Sequence, residues 1–333
     1  MKSYEQDERY AGPQPLPAEV VQRFEYGTSV LDENPFGQFA ASDLVERVQS
    51  LYFTREVRSF SSEDRHVGSM RTITFEYYRT ALAEHPPLVM VLPILGGDYP
   101  IERSVCEMLA EHGISSVLVH RPPGILDPQT YQSLEVMILS LTADRRKTLD
   151  VIVASGEVDM ERMGSFGISM GAITGVPLIA VEQRLQYHVL GLAGGDIPSI
   201  IMESSEDAVE EFVDEAMSAF GLSRAQLLDR LRSGYCSDPA ELAPFIDARN
   251  VRMFLARFDW VVPLQYGMVL HERMGRPQLD VLPVGHYTAA LFYFWVKDVT
   301  CEFFQEKFGV DGVEVERRRQ EIVRSARRQR SDK

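Results

Sequence analysis

The hydrophobic positions of the chain follow two patterns, which predict its strands. Residues 71–79 alternate, with Ile73, Phe75 and Tyr77 on one side, as is typical of a strand with one buried face. Later segments are apolar without interruption for a few residues, as is typical of strands covered on both faces in a parallel sheet. The predicted buried strands are residues 88–92, 114–119, 163–168, 187–192, 251–257 and 279–282.

Helical segments separate these strands. We predict helices at residues 101–112, at residues 144–154, and from the turn after residue 168 to about Glu182. Because strands and helices alternate, the sequence predicts an α/β fold with a mostly parallel central sheet and helices on both faces.

Two regions differ from this alternation. Residues 1–40 are rich in Pro, Gly and Glu, and we expect them to wrap loosely over the surface. Ser42 followed by Glu46 is typical of a helix N-terminus, which predicts a short helix through about Ser50. We therefore divide the chain into an N-terminal extension at 1–70, the α/β domain at 71–310 and a basic tail at 311–333.

Residues 199–250 form the second departure, because they have helical patterns and no strand pattern. An apolar stripe at helical spacing needs a surface to pack against. The stripe consists of Val209, Phe212, Ala216, Phe220, Leu227, Leu228 and Leu231. We expect a helical insertion that caps the functional site, and a lobe packed on the flank of the sheet is the alternative.

Composition and charge narrow the class of protein. The chain has 333 residues and a formal net charge of −15, which argues against a nucleic-acid partner. Neither a secretory leader nor an apolar run long enough to span a bilayer is evident. Cys106, Cys236 and Cys301 are too far apart to indicate a disulfide framework or a metal site, so we expect a cytoplasmic protein.

The tail is rich in arginine, and two interpretations are open. Its arginines are Arg317, Arg318, Arg319, Arg324, Arg327, Arg328 and Arg330. They would either attach the protein to an anionic surface, or form a solvated helix end that pairs with the acidic surface of the same chain. The strongly acidic remainder favours the second interpretation.

The motif Gly167-Ile168-Ser169-Met170-Gly171 carries the candidate chemistry. It matches the pattern G-x-S-x-G between a predicted strand and a predicted helix. A sharp turn there would lift the Ser169 hydroxyl above the sheet and place the Met170 N–H near a developing oxyanion. An idle serine in a tight turn is the alternative interpretation.

A serine hydroxyl needs a base, and the base needs an acid to orient it. His286 follows a short apolar strand late in the chain, in a turn that Gly285 permits. Asp259 follows the strand at residues 251–257, so the order along the chain is Ser169, Asp259, His286. Asp196, at the end of the preceding strand, is the alternative acid.

Residues 71–307 resemble the α/β-hydrolase superfamily through the serine motif, Asp259 with Val262-Pro263, and Gly285-His286-Tyr287. The segment at residues 158–164 is similar to the approach to the serine in dienelactone-hydrolase-like and prolyl-oligopeptidase-like enzymes. The resemblance implies a second oxyanion donor from the backbone of Gly96, Gly97 or a neighbour. Two departures are Leu95, where many esterases have histidine, and His120-Arg121, where relatives often have an acid. Arg121 would bind a substrate carboxylate or, as we favour, pair with a nearby acid.

The resemblance implies a serine hydrolase that cleaves a carboxylic ester of a small or medium organic substrate through an acyl-enzyme on Ser169. We expect no cofactor and no metal. Thioesterase, amidase or peptidase activity with the same triad stays open, as does a non-catalytic binding protein of the same fold. The sequence also leaves self-association into a homo-oligomer open.

Overall fold

A computed structural model describes residues 1–26, 37–122, 124–126 and 134–331, without the side chains of residues 37–38 and 329–331. Within these residues a ten-stranded sheet has the order β1-β10-β9-β8-β7-β5-β6-β4-β3-β2. The strands are β1 (Lys2–Tyr4), β2 (Asp43–Gln49), β3 (Phe53–Asp64), β4 (Ser69–Thr80), β5 (Leu88–Leu92), β6 (Ser115–Val119), β7 (Met163–Ile168), β8 (Tyr187–Gly191), β9 (Val251–Ala256) and β10 (Gln278–Leu282).

The centre of the sheet is parallel, as the uninterrupted apolar segments predict. Strands β6, β5, β7, β8, β9 and β10 pair in parallel in that order. Every residue of β5 and β6 is buried, because helices cover both faces. Strands β4, β3 and β2 extend one side in antiparallel pairs, and β1 closes the other side against β10. The predicted fold class is confirmed.

The helices form two layers around the sheet. Residues of α3 and α12 share one buried cluster with β5, β6 and β7, and residues of α4, α6 and α11 form clusters on the other face. The helices are α1 (Ala18–Arg23), α2 (Gly37–Ala41), α3 (Pro100–Glu111), α4 (Leu134–Ala154), α5 (Met170–Ile173), α6 (Gly175–Val181), α7 (Ile197–Glu203), α8 (Asp207–Phe220), α9 (Arg224–Arg232), α10 (Pro239–Leu242), α11 (Leu264–Arg273), α12 (Tyr293–Phe308) and α13 (Gly312–Ser331). No helix of the described ranges is long and apolar enough to cross a membrane.

The helix predicted to follow Ser42 is wrong, because this segment is strand β2. The Ser42 hydroxyl donates a hydrogen bond back to the Phe39 carbonyl at 2.7 Å, so it follows α2 instead of capping a new helix. Strand β2 pairs along its length with β3, and all its residues are exposed. The hydrogen bonds offered by the edge of β3 outweigh a weak local capping preference. The N-terminal residues also join the sheet through β1, which the expectation of a loose wrap did not include.

The insertion is helical and has a small core of its own. Its helices are α7, α8, α9 and α10, the first of which begins two residues before residue 199. The buried cluster consists of Met202, Phe212, Val213, Ala216, Leu227 and Leu231. Four of the seven residues of the predicted apolar stripe therefore pack within the insertion, whereas Phe220 is 38% exposed.

Helix α13 carries the arginines of the tail. Arg317 forms ion pairs with Glu314 and Glu321 of the same helix. Arg319 approaches Glu111 of the α/β domain at 3.9 Å and lies over the ring of Tyr52. Arg317 and Arg319 therefore pair with acids of the same chain. The Arg330 side chain lies outside the described part.

Candidate active site

The turn between β7 and α5 holds Ser169 in a backbone conformation that is rare for residues with a side chain. Its φ is 54° and its ψ is −125°. The Ser169 N–H donates to the Gly191 carbonyl at 2.8 Å, and the Ile173 N–H donates to the Ser169 carbonyl at 2.9 Å. Contacts on both sides thus fix a conformation that is costly by itself.

The glycines of the motif are required because the turn is crowded. A Cβ atom on Gly171 would lie 2.2 Å from the Leu92 carbonyl oxygen, and one on Gly167 would lie 2.7 Å from the Ala172 nitrogen. No side chain fits at either position without displacing backbone. The glycines let the helix after the turn approach β5.

The loops after β9 and β10 bring Asp259 and His286 together. His286 Nδ1 lies 2.8 Å from Asp259 Oδ2. The other oxygen, Oδ1, accepts the N–H groups of Val261 at 2.9 Å and Val262 at 2.8 Å. The Asp259 side chain is 2% exposed and that of His286 is 11% exposed. The carboxylate therefore fixes the ring, and Nε2 is the nitrogen left for chemistry.

Asp196 lies at the start of the insertion and has another set of partners. It precedes α7 with a φ of 60° and accepts the Ser199 N–H at 3.3 Å, which makes it an N-cap. It also accepts the Ser199 hydroxyl at 2.6 Å and an Arg232 N–H at 3.1 Å. Of the two acids considered, Asp259 is the one on the imidazole.

A cavity of about 500 Å³ opens beside Ser169 and His286. Ser169 and His286 both line it, and most of its other lining is apolar. The described lining consists of Ile94, Leu95, Gly96, Ile101, Phe166, Ile168, Ser169, Gly191, Leu192, Glu206, Phe254, Leu282, His286, Tyr287, Ala289, Ala290, Tyr293 and Val296. The cavity is of the size that accepts a small organic molecule.

The loop after β5 forms one wall of this cavity. Gly96 lines it, whereas Gly97 is not among the lining residues. The Ile94 N–H donates to Oε1 of the buried Glu102 at 2.7 Å, so that donor is already occupied. Leu95 and Gly96 both line the cavity, so the N–H groups of these two loop residues remain candidates for an oxyanion donor.

Arg121 binds the backbone of this loop. This role differs from both expected ones, which were binding a substrate carboxylate and pairing with a nearby acid. Its guanidinium donates to the carbonyls of Ile94 and Leu95, and to that of Gly97 at 2.7 Å. It also lies 5.0 Å from the centre of the Tyr99 ring. Within the described ranges Arg121 makes these three backbone contacts and not the expected ion pair, because the turn after β5 directs its carbonyls toward the end of β6.

Arg145 is a further residue that sequence reasoning missed. It lies in α4, is 3% exposed, and donates to the Thr174 carbonyl at 2.6 Å and hydroxyl at 2.8 Å. Thr174 in turn donates to the Met170 carbonyl at 2.7 Å. Burial lowers the pKa of Arg145 to about 10. In the sequence Arg145 stands in the charged run Asp144-Arg145-Arg146-Lys147, so no signal distinguished it as a support of the serine turn.

This sheet order, with a serine turn after β7 and a histidine loop after β10, is the α/β-hydrolase fold. Solved structures similar to the chain include a cold-adapted esterase from an Arctic intertidal metagenomic library, with 20% identity and a TM-score of 0.55 over 79% of this chain and 98% of that one. Acetyl xylan esterase 1 from Thermoanaerobacterium sp. is similar over 88% and 99%, with 16% identity and a TM-score of 0.56.

An S-formylglutathione hydrolase from Agrobacterium tumefaciens is similar over 80% of this chain and 99% of that one, with 17% identity and a TM-score of 0.51. No family model and no curated protein sequence matches the chain. At these identities the likeness establishes the fold, and function has to be argued from the site.

Proposed function

We propose that the protein is a serine hydrolase that cleaves a carboxylic ester of a small or medium organic substrate. The observation that carries this proposal is the shared cavity, which Ser169 and His286 both line while Asp259 holds the far side of the ring. This is the set of groups that acyl transfer requires.

In the proposed reaction the Ser169 hydroxyl oxygen attacks the ester carbonyl carbon, and Nε2 of His286 takes the hydroxyl proton. The imidazolium, stabilised by Asp259, then gives this proton to the departing alcohol, which leaves an acyl-enzyme. Water attacks the acyl-enzyme by the same route and regenerates the serine. The N–H of Met170 and an N–H from the loop of Gly96 and Gly97 stabilise the oxyanion in both halves.

The insertion has the proposed role of a cap. Glu206, just before α8, lines the cavity, and the Tyr287 hydroxyl donates to its carboxylate. The Ser205 N–H donates to the Trp260 carbonyl at 2.9 Å. These contacts support a cap that limits substrate size and shields the acyl-enzyme from bulk water.

The proposed function also includes a small-molecule substrate and a cytoplasmic location.

Labelling with a fluorophosphonate probe tests the proposal, because such probes react with activated serines. We expect one label on the wild-type protein, located on Ser169 by peptide mass spectrometry, and hydrolysis of short p-nitrophenyl esters. The variant Ser169→Ala should lose both signals, with turnover reduced by several orders of magnitude.

Ser165→Ala is the matched control, since Ser165 lies in β7 but is fully buried and does not line the cavity. It should retain labelling and turnover. A folded wild-type protein that neither labels nor hydrolyses any ester would instead support a non-catalytic member of the fold. A label that persists in Ser169→Ala would show that another residue is the nucleophile.

A further inference from the structure

Glu206 places a carboxylate in the lining of a mostly apolar cavity. Among the described lining residues it is the only Asp, Glu, Lys or Arg. The remaining polar side chains of the lining are Ser169, His286, Tyr287 and Tyr293. A single negative charge in apolar surroundings discriminates between substrates by their charge more strongly than the same charge in open water.

Two hydrogen bonds hold Glu206 in place beside the cavity. Glu206 occupies the position before the first residue of α8, but its side chain does not cap that helix. Instead its carboxylate accepts the Tyr287 hydroxyl, and its N–H donates to the Ser204 hydroxyl at 3.2 Å. Tyr287 directly follows His286, so the acid is tied to the loop that carries the proposed base.

Tyr287 adds an aromatic surface to this acid. The residue is 66% exposed, and its ring meets the His286 ring edge to face at a centroid distance of 5.7 Å. The hydrogen bond to Glu206 raises the pKa of Tyr287 to about 12. The phenol is therefore neutral near pH 7, and its exposed ring attracts cations through its π electrons.

We propose that Glu206 and Tyr287 form a subsite for a cationic group, an ammonium or quaternary ammonium, carried by the ester substrate. The proposal rests on the proposed function, since it names the class of substrate at the same site. A neutral alkyl group of the same shape gains the same burial but not the attraction of the carboxylate and the ring. The net charge of −15 adds a long-range field of the same sign.

Two isosteric esters test this subsite. Butyrylcholine and 3,3-dimethylbutyl butyrate differ only in a quaternary nitrogen in place of a carbon, and a pH-stat follows the hydrolysis of both. The measured quantity is the ratio of their kcat/KM values. We expect the wild-type protein to prefer the cationic ester by about fivefold to twentyfold. Glu206→Gln should lower this ratio severalfold, because the carboxylate then no longer attracts the cation.

Glu210→Gln is the matched control, because it removes the same charge from the exposed side of α8, away from the cavity lining. It should preserve the wild-type ratio. The subsite is overturned if Glu206→Gln leaves the ratio unchanged, or if Glu210→Gln lowers it equally, which would assign the preference to the general field of the protein.

The neutral ester separates this inference from the proposed function. If the wild-type protein hydrolyses neither ester, the labelling of Ser169 decides the proposed function, and ligand-observed NMR of choline against 3,3-dimethylbutanol decides the subsite. Choline that binds the wild-type protein more tightly than the alcohol, and loses this advantage in Glu206→Gln, supports the subsite. Equal binding of the two ligands overturns it.

Discussion

Asp259 and Asp196 both follow strands of the sheet, but their side chains contact different partners and therefore have different roles. The Asp259 carboxylate contacts the His286 ring, whereas Asp196 caps α7. Asparagine at position 259 keeps the shape of the side chain but has no negative charge. It therefore cannot stabilise the protonated His286 ring, and it no longer selects the tautomer with the proton on Nδ1. We expect Asp259→Asn to lower kcat by about 10⁴-fold.

Asp196→Asn is the control for this prediction, because asparagine is also a good N-cap. It should fold normally and keep activity near that of the wild type. Steady-state kinetics on a short p-nitrophenyl ester, with circular dichroism of each variant, distinguish the two aspartates. Equal losses in both variants would contradict the assignment of Asp259.

At the residue scale, sequence reasoning reaches the groups that belong to a local motif or a fixed chain order. Ser169 is marked by its flanking glycines, and His286 and Asp259 by their order after it. Glu206 carries no such mark, because it is one of many acids in the insertion and becomes distinct only through its contact with Tyr287. Contacts between distant segments cannot be read from spacing along the chain.

The loop after β5 is the element whose rigidity matters most to the proposed chemistry. Arg121 binds three of its carbonyls, and Glu102 binds the Ile94 N–H. A lysine at position 121 keeps the charge, but its ammonium lacks the fork of donors with which the guanidinium binds these three carbonyls. We expect Arg121→Lys to lower kcat by about tenfold to a hundredfold, because the oxyanion donors lose their position.

Measurements of KM and of the midpoint of thermal unfolding show whether Arg121 positions the oxyanion loop or only stabilises the fold. For Arg121→Lys we expect KM to change less than kcat, and the midpoint to stay close to that of the wild type. An unchanged kcat with a raised KM would mean that Arg121 contacts the substrate instead.

Elements were predictable where burial decides the pattern. The bounds of β5 and β7 match the apolar segments, because both faces of these strands are covered. Strand β2 was not predictable, since all of its residues are exposed and its conformation depends on the neighbouring β3. Strand β3, at residues 53–64, has a mixed pattern of burial and was also missed.

For the whole molecule, stability at acid pH is linked to His188, which lies in strand β8. The residue is 3% exposed, its Nδ1 lies 3.0 Å from the Ser165 hydroxyl, and burial lowers its pKa to about 3. In the unfolded chain a histidine has a pKa of about 6.5, so the unfolded state takes up the proton first. The stability is therefore complete above about pH 6.5 and is lost as the pH falls.

At pH 5.5 we expect this one group to lower the free energy of unfolding by about 1.3 kcal/mol relative to about pH 7. Urea unfolding measures this change in the free energy of unfolding. The wild type and His188→Gln are compared at about pH 7 and about pH 5.5. The glutamine cannot titrate, so the variant should lose less stability between the two conditions, whatever its stability at pH 7. Parallel losses in the two proteins would assign the effect to other groups.

Strand β1 links residues 2–4 to β10, where the Ser3 hydroxyl donates to Asp280, 277 positions later in the chain. A ribosome adding about 5–20 residues per second needs about 15–55 s to make that stretch. During this time the emerging segment has no partner strand, and the backbone edge that β1 later occupies does not yet exist. The sheet therefore cannot be completed before β10 has left the ribosome, and any protein fused directly before β1 must leave this segment free to reach β10.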